Sequence, residues 1–315
     1  MGEKIVFPDE LERSIRLGQK AIEQKEYLTA CGYFKKAYEM EMSFSVNQLY
    51  VAALLKLEDF EAALHVAQDF SEEYQSIEAA LTQYVRILLL NQQFLIARKV
   101  ISQSVLLTKE KRRTLTQQVE QLELAIDLLD PESLQVKRQL LKRWDKKQTP
   151  MPSAAWDEFQ HQLTYPQFVA LMQDFLPASN NNFLRPRLIE ELVLLGCDKT
   201  ILTNSWLEIG YQLDLKTLLL PEDLPALKKL QHYFESEIAA KNVQMAEYCI
   251  AELKTHLALT YPFVPFAENT MLWAQSYVLE YQRLMGDVTA EKSLGELSKI
   301  NLQKEKISQI YQEIF

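Results

Sequence analysis

The residues able to do chemistry in this 315-residue chain are few, and their spacing works against them. Four histidines stand at His65, His161, His232 and His256. None belongs to an H-E-x-x-H run or to a pair on one helix face, the arrangement that would point two ring nitrogens at one metal ion. Each therefore reads as an exposed or internally satisfied histidine. Cys31, Cys197 and Cys249 are odd in number, widely separated and without a C-x-x-C pair. That excludes a disulfide framework or a zinc ribbon and points to a reducing compartment, with each thiol filling a small apolar space. A serine or cysteine nucleophile needs a base and an orienting group beside it, and no G-x-S-x-G turn is present to build one. Seven scattered glycines make neither G-x-G-x-x-G nor G-x-x-x-x-G-K-[ST], so no phosphate loop exists. Neighbouring acids such as Glu190-Glu191 and Glu72-Glu73 diverge by about 100° on a helix and read as solvated faces. The expectation is a chain without catalytic residues, metal or cofactor.

Two basic clusters remain: Lys109, Lys111, Arg112 and Arg113, then Lys137, Arg138, Lys142, Arg143, Lys146 and Lys147. A nucleic-acid surface would interleave such cations with aromatic rings, and only Trp144 offers one. The formal charge of −9 repels polyanions on average. Both clusters read as solvated faces and nucleic acid as an improbable partner. Hydrophobic residues make up 48% and charged residues 24%, ordinary usage for a folded protein. No signal peptide is recognisable, and no uncharged apolar run approaches the ~20 residues that span a bilayer. The expected setting is cytoplasmic, away from membrane.

The elements that position these residues repeat. Tyr27-Leu28-Thr29-Ala30, Phe60-Glu61-Ala62-Ala63 and Phe94-Leu95-Ile96-Ala97 place an aromatic and an alanine at spacings of 33 and 34. Before and after each phrase, apolar residues recur at three- and four-residue steps, as Leu11, Ile15, Gly18 and Ile22 do, and then Ala30, Phe34 and Ala37. No proline interrupts the chain between Pro8 and Pro131. The spacing predicts three helical hairpins over about 11–43, 44–77 and 78–108, closed by a long helix near 109–129 whose stripe is Leu115, Val119, Leu122, Ile126 and Leu129.

With Leu17-Gly18, Tyr27, Ala30, Phe34 and Ala37 at their offsets, the first unit resembles the tetratricopeptide repeat. The second and third units depart from it, with Val51 and Val85 in place of Gly and with Phe70 and Ser104 in place of the last Ala. The resemblance implies small residues that let two helices cross closely, with the ring filling the gap beside them.

Asp130-Pro131-Glu132 reads as a helix start, and Asp145 to Pro152 as a linker placed at 146–153. The predicted division is therefore 1–145 as repeats with capping helices and 154–315 as a C-terminal helical domain. All four tryptophans and nine of the eleven prolines lie from residue 144 onward. Helices are predicted near 154–163, 166–176, 186–195, 223–240, 242–259 and 268–285, with a last one over much of 289–314. Gly196 and Gly286 sit where helices end. Alternation near Gly210 predicts one short β-hairpin at about 200–216. The fold class is all-α, a tetratricopeptide-like array of hairpins followed by a mostly helical domain. The second half, with Tyr261-Pro262-Phe263 before a Trp-Ala helix, is similar to the C-terminal region of tetratricopeptide-type proteins of low-GC Gram-positive bacteria. That implies a bacterial adaptor and supplies no catalytic residue.

In the family's register the groove-facing positions are Glu12, Ile15, Gln19 and Ile22, then Gln48, Ala52 and Leu55, then Thr82, Arg86 and Leu89. Chaperone-binding members grip a terminal carboxylate with Lys and Asn. Here Ile15 and Gln19 replace that pair, and Arg86 alone could meet an anion. The groove suits an apolar or amphipathic segment of a partner protein, or the chain's own C-terminal region. The leading reading is a non-catalytic interaction scaffold. The alternatives are a peptide-responsive or RNA-associated regulator, although only about ten residues precede the first repeat, and an enzyme with a site near Trp206 and Tyr261-Pro262-Phe263. Oligomeric state stays open.

Overall fold

The computed structural model describes residues 8–129, 133–206 and 210–312. Among the described residues it contains seventeen α-helices and one two-stranded antiparallel sheet, so the chain is all-α with a single hairpin. Contacts divide it into two compact units, one of Met1–Asp130 with Gln160–Tyr165, the other of Pro131–Phe159 with Pro166–Phe315. The division falls earlier than the 146–153 linker read from the sequence.

The first unit begins with paired helices: α1 (Pro8–Glu23) with α2 (Tyr27–Met40), and α3 (Phe44–Lys56) with α4 (Phe60–Gln68). After the short α5 (Ser71–Ser76) comes a third pair, α6 (Glu78–Leu90) with α7 (Phe94–Gln103), and then the long α8 (Lys109–Leu129). Each pair turns in the same way. Lys25, Glu58 and Gln92, each two residues before the repeat aromatic, adopt φ of 61°, 61° and 54°. The next residue's N–H then reaches back to the carbonyl five positions earlier: Glu26 to Ala21 at 2.9 Å, Asp59 to Leu54 at 3.0 Å and Gln93 to Leu88 at 2.9 Å. This Schellman geometry satisfies carbonyls that a helix end would leave open. None of the three is glycine, so each turn bears the left-handed penalty of an L-residue, roughly 1–2 kcal/mol. The packing beyond the turn must outweigh it.

That packing is densest where the repeat pattern is best. A Cβ at Gly18 would stand 2.6 Å from Phe34 Cε1, so the ring lies directly on the α1 backbone. Ala21, Ala30 and Phe34 are buried there and continue into one core with Val51, Ala63, Ala67, Leu81, Val85 and Ala97. The second unit of the pattern departs as its Phe70 foretold. A ring in place of the small alanine stops α4 at Gln68, and Phe70 packs on Tyr38 and Phe44 with centroids 6.4 and 5.9 Å away. Helix α5 follows where a continuous helix was expected. Buried Asn47 ties this region together, donating to the Val66 carbonyl at 2.6 Å and accepting from the Tyr74 hydroxyl at 3.1 Å.

Helix α8 closes the array through a buried ion pair. The Arg98 guanidinium on α7 grips the Glu123 carboxylate, which is 1% exposed and also accepts the Tyr165 N–H at 2.9 Å. Arg112 is no solvated cation: its guanidinium donates to the carbonyls of Ile101, Ser102 and Ser104 at the end of α7, which corrects the first basic cluster.

The second unit contains α9 (Ser133–Lys147), all but the last residue of α10 (Ser153–Gln160), all but the first of α11 (Tyr165–Phe175), and α12 (Leu184–Leu194). Strands β1 (Thr200–Thr203) and β2 (Tyr211–Asp214) pair antiparallel, Thr200 opposite Asp214 and Thr203 opposite Tyr211. Then follow α13 (Pro225–Tyr233), prolonged by a π-helical turn at Phe234–Ile238, α14 (Val243–Thr260) and α15 (Thr270–Leu284). Gly196 and Gly286 end α12 and α15 at φ of 71° and 92°, with the same Schellman bonds as the first unit. The single helix expected over 289–314 is two, α16 (Val288–Glu296) and α17 (Ser298–Gln312). Leu297 leaves helical geometry after Gly295, and the Asn301 side chain takes the Leu294 carbonyl that the break exposes, at 2.5 Å. Glu191 is buried at 5%, not solvated, because α12 is enclosed on most of its circumference. The expected helix start at Asp130-Pro131-Glu132 and Ile209 of the hairpin lie outside the described residues.

Candidate functional site

The first unit holds a cavity of about 1000 Å³, walled by α3, α6 and α8. From α3 comes Leu55, and from α6 come Ala79, Thr82, Gln83, Val85, Arg86, Leu89 and Leu90. The turn into α7 adds Gln92 and Phe94. The facing wall is α8, with Leu115, Gln118, Gln121, Leu122, Ala125 and Ile126. The lining is mostly aliphatic, its polar groups are neutral amides and one hydroxyl, and its single charge is the exposed Arg86.

The cavity exists because of how each helix divides its faces. On α6, Leu81, Tyr84, Val85 and Leu88 turn into the core, which leaves Thr82, Arg86 and Leu89 on an adjoining face. On α8, Leu115 and Val119 are buried at 4% and 0%. The same three- and four-residue stripe runs on to Leu122, 44% exposed, and half-buried Ile126. The stripe is thus longer than the surface it has to cover, and its second half is left as a wall.

Of the ten positions read from the repeat register, the cavity brings together Leu55, Thr82, Arg86 and Leu89. Glu12, Ile15, Gln19, Ile22, Gln48 and Ala52 do not line it. Glu12, Gln19 and Ala52 are exposed, Ile15 and Gln48 half-buried, and Ile22 packs against the core. The α8 residues were not among the ten. Their signal was present in the spacing of Leu115, Val119, Leu122 and Ile126, but a stripe that caps and a stripe that also lines a cavity look alike in sequence.

In the second unit, burial holds two titratable groups, His256 and Cys249, in their neutral forms. His256 is 1% exposed, with its Nδ1 2.7 Å from the Tyr277 hydroxyl and its Nε2 3.7 Å from Glu252. Burial, with Lys304 nearby, holds its pKa down at about 3, so the ring stays neutral. Burial pushes the Cys249 thiol up to about 12, away from thiolate. Lys304, lowered chiefly by burial, lies 2.8 Å from Glu280 with its ammonium 3.7 Å above the Tyr277 ring. These contacts clamp α17 to α14 and α15. A separate cavity of about 640 Å³ is lined by Glu190, Glu222, Lys254 and Tyr261 among others. Burial, and then the Glu222 charge, raises the Glu190 carboxyl. Tyr261 of the enzyme alternative lines this cavity and Trp206 does not. Among the described residues, no group of three or more His, Cys, Asp or Glu could hold a metal ion. No described helix is long and apolar enough to cross a membrane.

No protein-family model matches the chain, and no curated protein does. Among solved structures, the chain is similar to one described as the TPR2AB-domain:pHSP90 complex of yeast Sti1. The identity is 12%, the coverage 96% of this chain and 100% of that one, and the TM-score 0.30. At that score the likeness carries no argument about partner or mechanism.

Proposed function

We propose that this protein is a protein–protein interaction scaffold whose binding site is the cavity between α3, α6 and α8, without a catalytic step. The occupant is an amphipathic segment of a partner protein that places aliphatic side chains between α6 and α8 and one carboxylate at Arg86. The observation that carries the reading is the composition of the walls: leucine, isoleucine and glutamine on three helices around one cation. An apolar cavity with a few polar groups is the usual form of a recognition site, and an amphipathic segment is the ligand that matches it. Arg86 breaks the symmetry of an otherwise uncharged lining and fixes which way such a segment lies.

Peptide selection from a random library tests this with the full chain and two variants. Ala125→Trp fills the cavity from an exposed position on α8. Arg86→Glu reverses its only charge. Wild type is expected to select apolar sequences with an acid at one position. Arg86→Glu is expected to select a base at that position, and Ala125→Trp to select nothing above background. An unchanged selection across all three forms would remove the cavity from consideration.

A further inference from the structure

The solvent side of α9 carries Lys142, Arg143, Lys146 and Lys147, all exposed, at positions i, i+1, i+4 and i+5 of one helix. The two cations before them are committed. Lys137 Nζ donates to the Glu158 carbonyl at 2.6 Å, and Arg138 pairs with Asp174 at 2.7 Å. None of the later four has an ion-pair partner among the described residues, in a chain whose net charge is −9. Beside this stripe lies a cavity of about 280 Å³, walled by Leu141, Leu171, Phe175 and Ala178, with Lys142 on its edge. The acids at that edge are engaged: Asp174 by Arg138, and Asp145 by the Ser179 hydroxyl at 2.6 Å and the Asn181 N–H at 3.3 Å. Lys142 is left as the edge's unmatched charge.

We infer that α9 and this cavity form a second docking surface, for an acidic segment of a partner protein that inserts one leucine- or phenylalanine-sized side chain among Leu141, Leu171 and Phe175. The rows Lys142/Lys146 and Arg143/Lys147 then meet its carboxylates, since residues four apart share a helix face. A cavity of this size is below the ~300 Å³ at which drug-sized ligand sites begin, so it holds one anchor, not a molecule. RNA fits less well. From 142 to 147 the helix advances about 7.5 Å, too little for the six to ten phosphate contacts typical of polyanion binding. The Trp144 ring, the one aromatic of the stripe, has Lys147 Nζ over one face at 3.8 Å, where a base would have to displace it. This surface is separate from the cavity of α3, α6 and α8, and either can fail alone.

The probes are fluorescein-labelled Glu-Glu-Asp-Phe-Glu-Glu, the same peptide with Ala for Phe, and a twelve-nucleotide oligouridylate. Each is titrated by anisotropy against the full chain at 25 and 200 mM NaCl. The phenylalanine peptide is expected to bind at low salt and to weaken about tenfold at high salt, as exposed ion pairs do. Ala in place of Phe is expected to cost about tenfold. So is Lys142→Glu/Arg143→Glu, an exposed double change that leaves the fold intact. Ala178→Trp, which closes the cavity without altering charge, is expected to do the same. Binding by both variants as tight as that of wild type overturns the inference, as does an oligouridylate that binds tighter than the peptide. A chain that dimerises in sedimentation, and no longer does so as Lys142→Glu/Arg143→Glu, also overturns it by making a second copy the occupant.

Discussion

Gly18→Ala isolates the contact on which the first helical hairpin depends. The added Cβ would meet Phe34 Cε1, Cζ and Cδ1 at 2.6, 2.8 and 2.9 Å. Carbon atoms pack best at about 3.5–4.0 Å, so the ring must retreat by about 1 Å. Phe34 is 1% exposed and has nowhere to retreat to. Overpacking of this kind costs about 1–3 kcal/mol. Alanine regains about 1 kcal/mol in a helix interior, because glycine is the poorer helix former. The net is a loss of about 0–2 kcal/mol, small enough that the single variant does not decide the matter. The cycle with Phe34→Leu does. Leucine lacks the ε and ζ carbons and its remaining δ carbons can turn aside, so in that background the clash of Gly18→Ala is relieved and the helix propensity gain prevails. The sign reverses, with a coupling of about 1–3 kcal/mol. The assay is amide hydrogen exchange of α1 and α2 in the full chain. All four tryptophans lie from residue 144 onward, so fluorescence reports the second unit. Protection in α1 and α2 is expected to fall by up to ~30-fold in Gly18→Ala and to rise ~5-fold when the change is added to Phe34→Leu. If Gly18→Ala raises protection equally in both backgrounds, no close crossing selects the glycine, and the packing argument for the hairpin fails.

Glu123→Ala takes the gripping carboxylate from the Arg98 guanidinium, whose side chain is 14% exposed and which keeps only Glu120 at 4.0 Å, and removes the acceptor of the Tyr165 N–H. The expected cost is about 3–5 kcal/mol, read as lost exchange protection across α7, α8 and residues 160–165, with Glu123→Gln losing less. The second unit is expected to weaken as pH falls. His256 titrates near 6.5 when unfolded and is held at about 3 when folded, so below pH 6.5 the unfolded state binds the extra proton and stability declines toward pH 3. The slope approaches ~1.4 kcal/mol per pH unit. Urea titrations between pH 7 and 5.5, followed by tryptophan fluorescence, are expected to show it in wild type and to lose most of it in His256→Gln. Cys31, Cys197 and Cys249 are 7%, 2% and 0% exposed. A thiol-specific reagent such as dithionitrobenzoate is expected to titrate none in the native protein and all three in urea.

The repeat was legible because its physics is local. A ring and a small residue spaced 33 and 34 apart force the same close crossing each time, and Tyr27, Phe60 and Phe94 all begin the second helix of a pair. The turns before them were not legible, since Lys25, Glu58 and Gln92 carry no mark of left-handed backbone in their residue type. Where glycine does that work, at Gly196 and Gly286, the ends of α12 and α15 were read correctly. Phe70 shows the middle case: it was seen to depart from the pattern, but the split into α4 and α5 follows from packing on Tyr38 and Phe44, which sequence does not display. Glu191 and Arg112 were misread for a similar reason. Charged residues on a helical pattern default to solvent, and only tertiary neighbours reveal a buried acid or a guanidinium spent on three carbonyls. Four of the ten groove positions line the cavity because they sit on α3 and α6. The other wall comes from α8, a helix outside the repeats, to which a register carried from repeat to repeat cannot extend.

On the proposed reading, the apolar side chains and the one charge divide the labour of recognition. Leu122 on α8 and Leu90 on α6 are 44% and 36% exposed, and beside them stand Leu89 and Ile126, half-buried. Covering a leucine or isoleucine fully is worth about 1.5–3 kcal/mol, so covering what remains exposed of these four yields a few kcal/mol. The partner's own apolar side chains add a similar amount. Association itself costs at least about 4 kcal/mol, so these apolar contacts are what make binding net favourable. An open ion pair at Arg86 contributes about 0.2–1 kcal/mol, less than any one of them. Affinity therefore resides in the apolar residues of both walls and orientation in Arg86. The difference is measurable: Ala125→Trp should abolish binding of any suitable segment, whereas Arg86→Glu should change which segments bind while leaving the tightest nearly as tight.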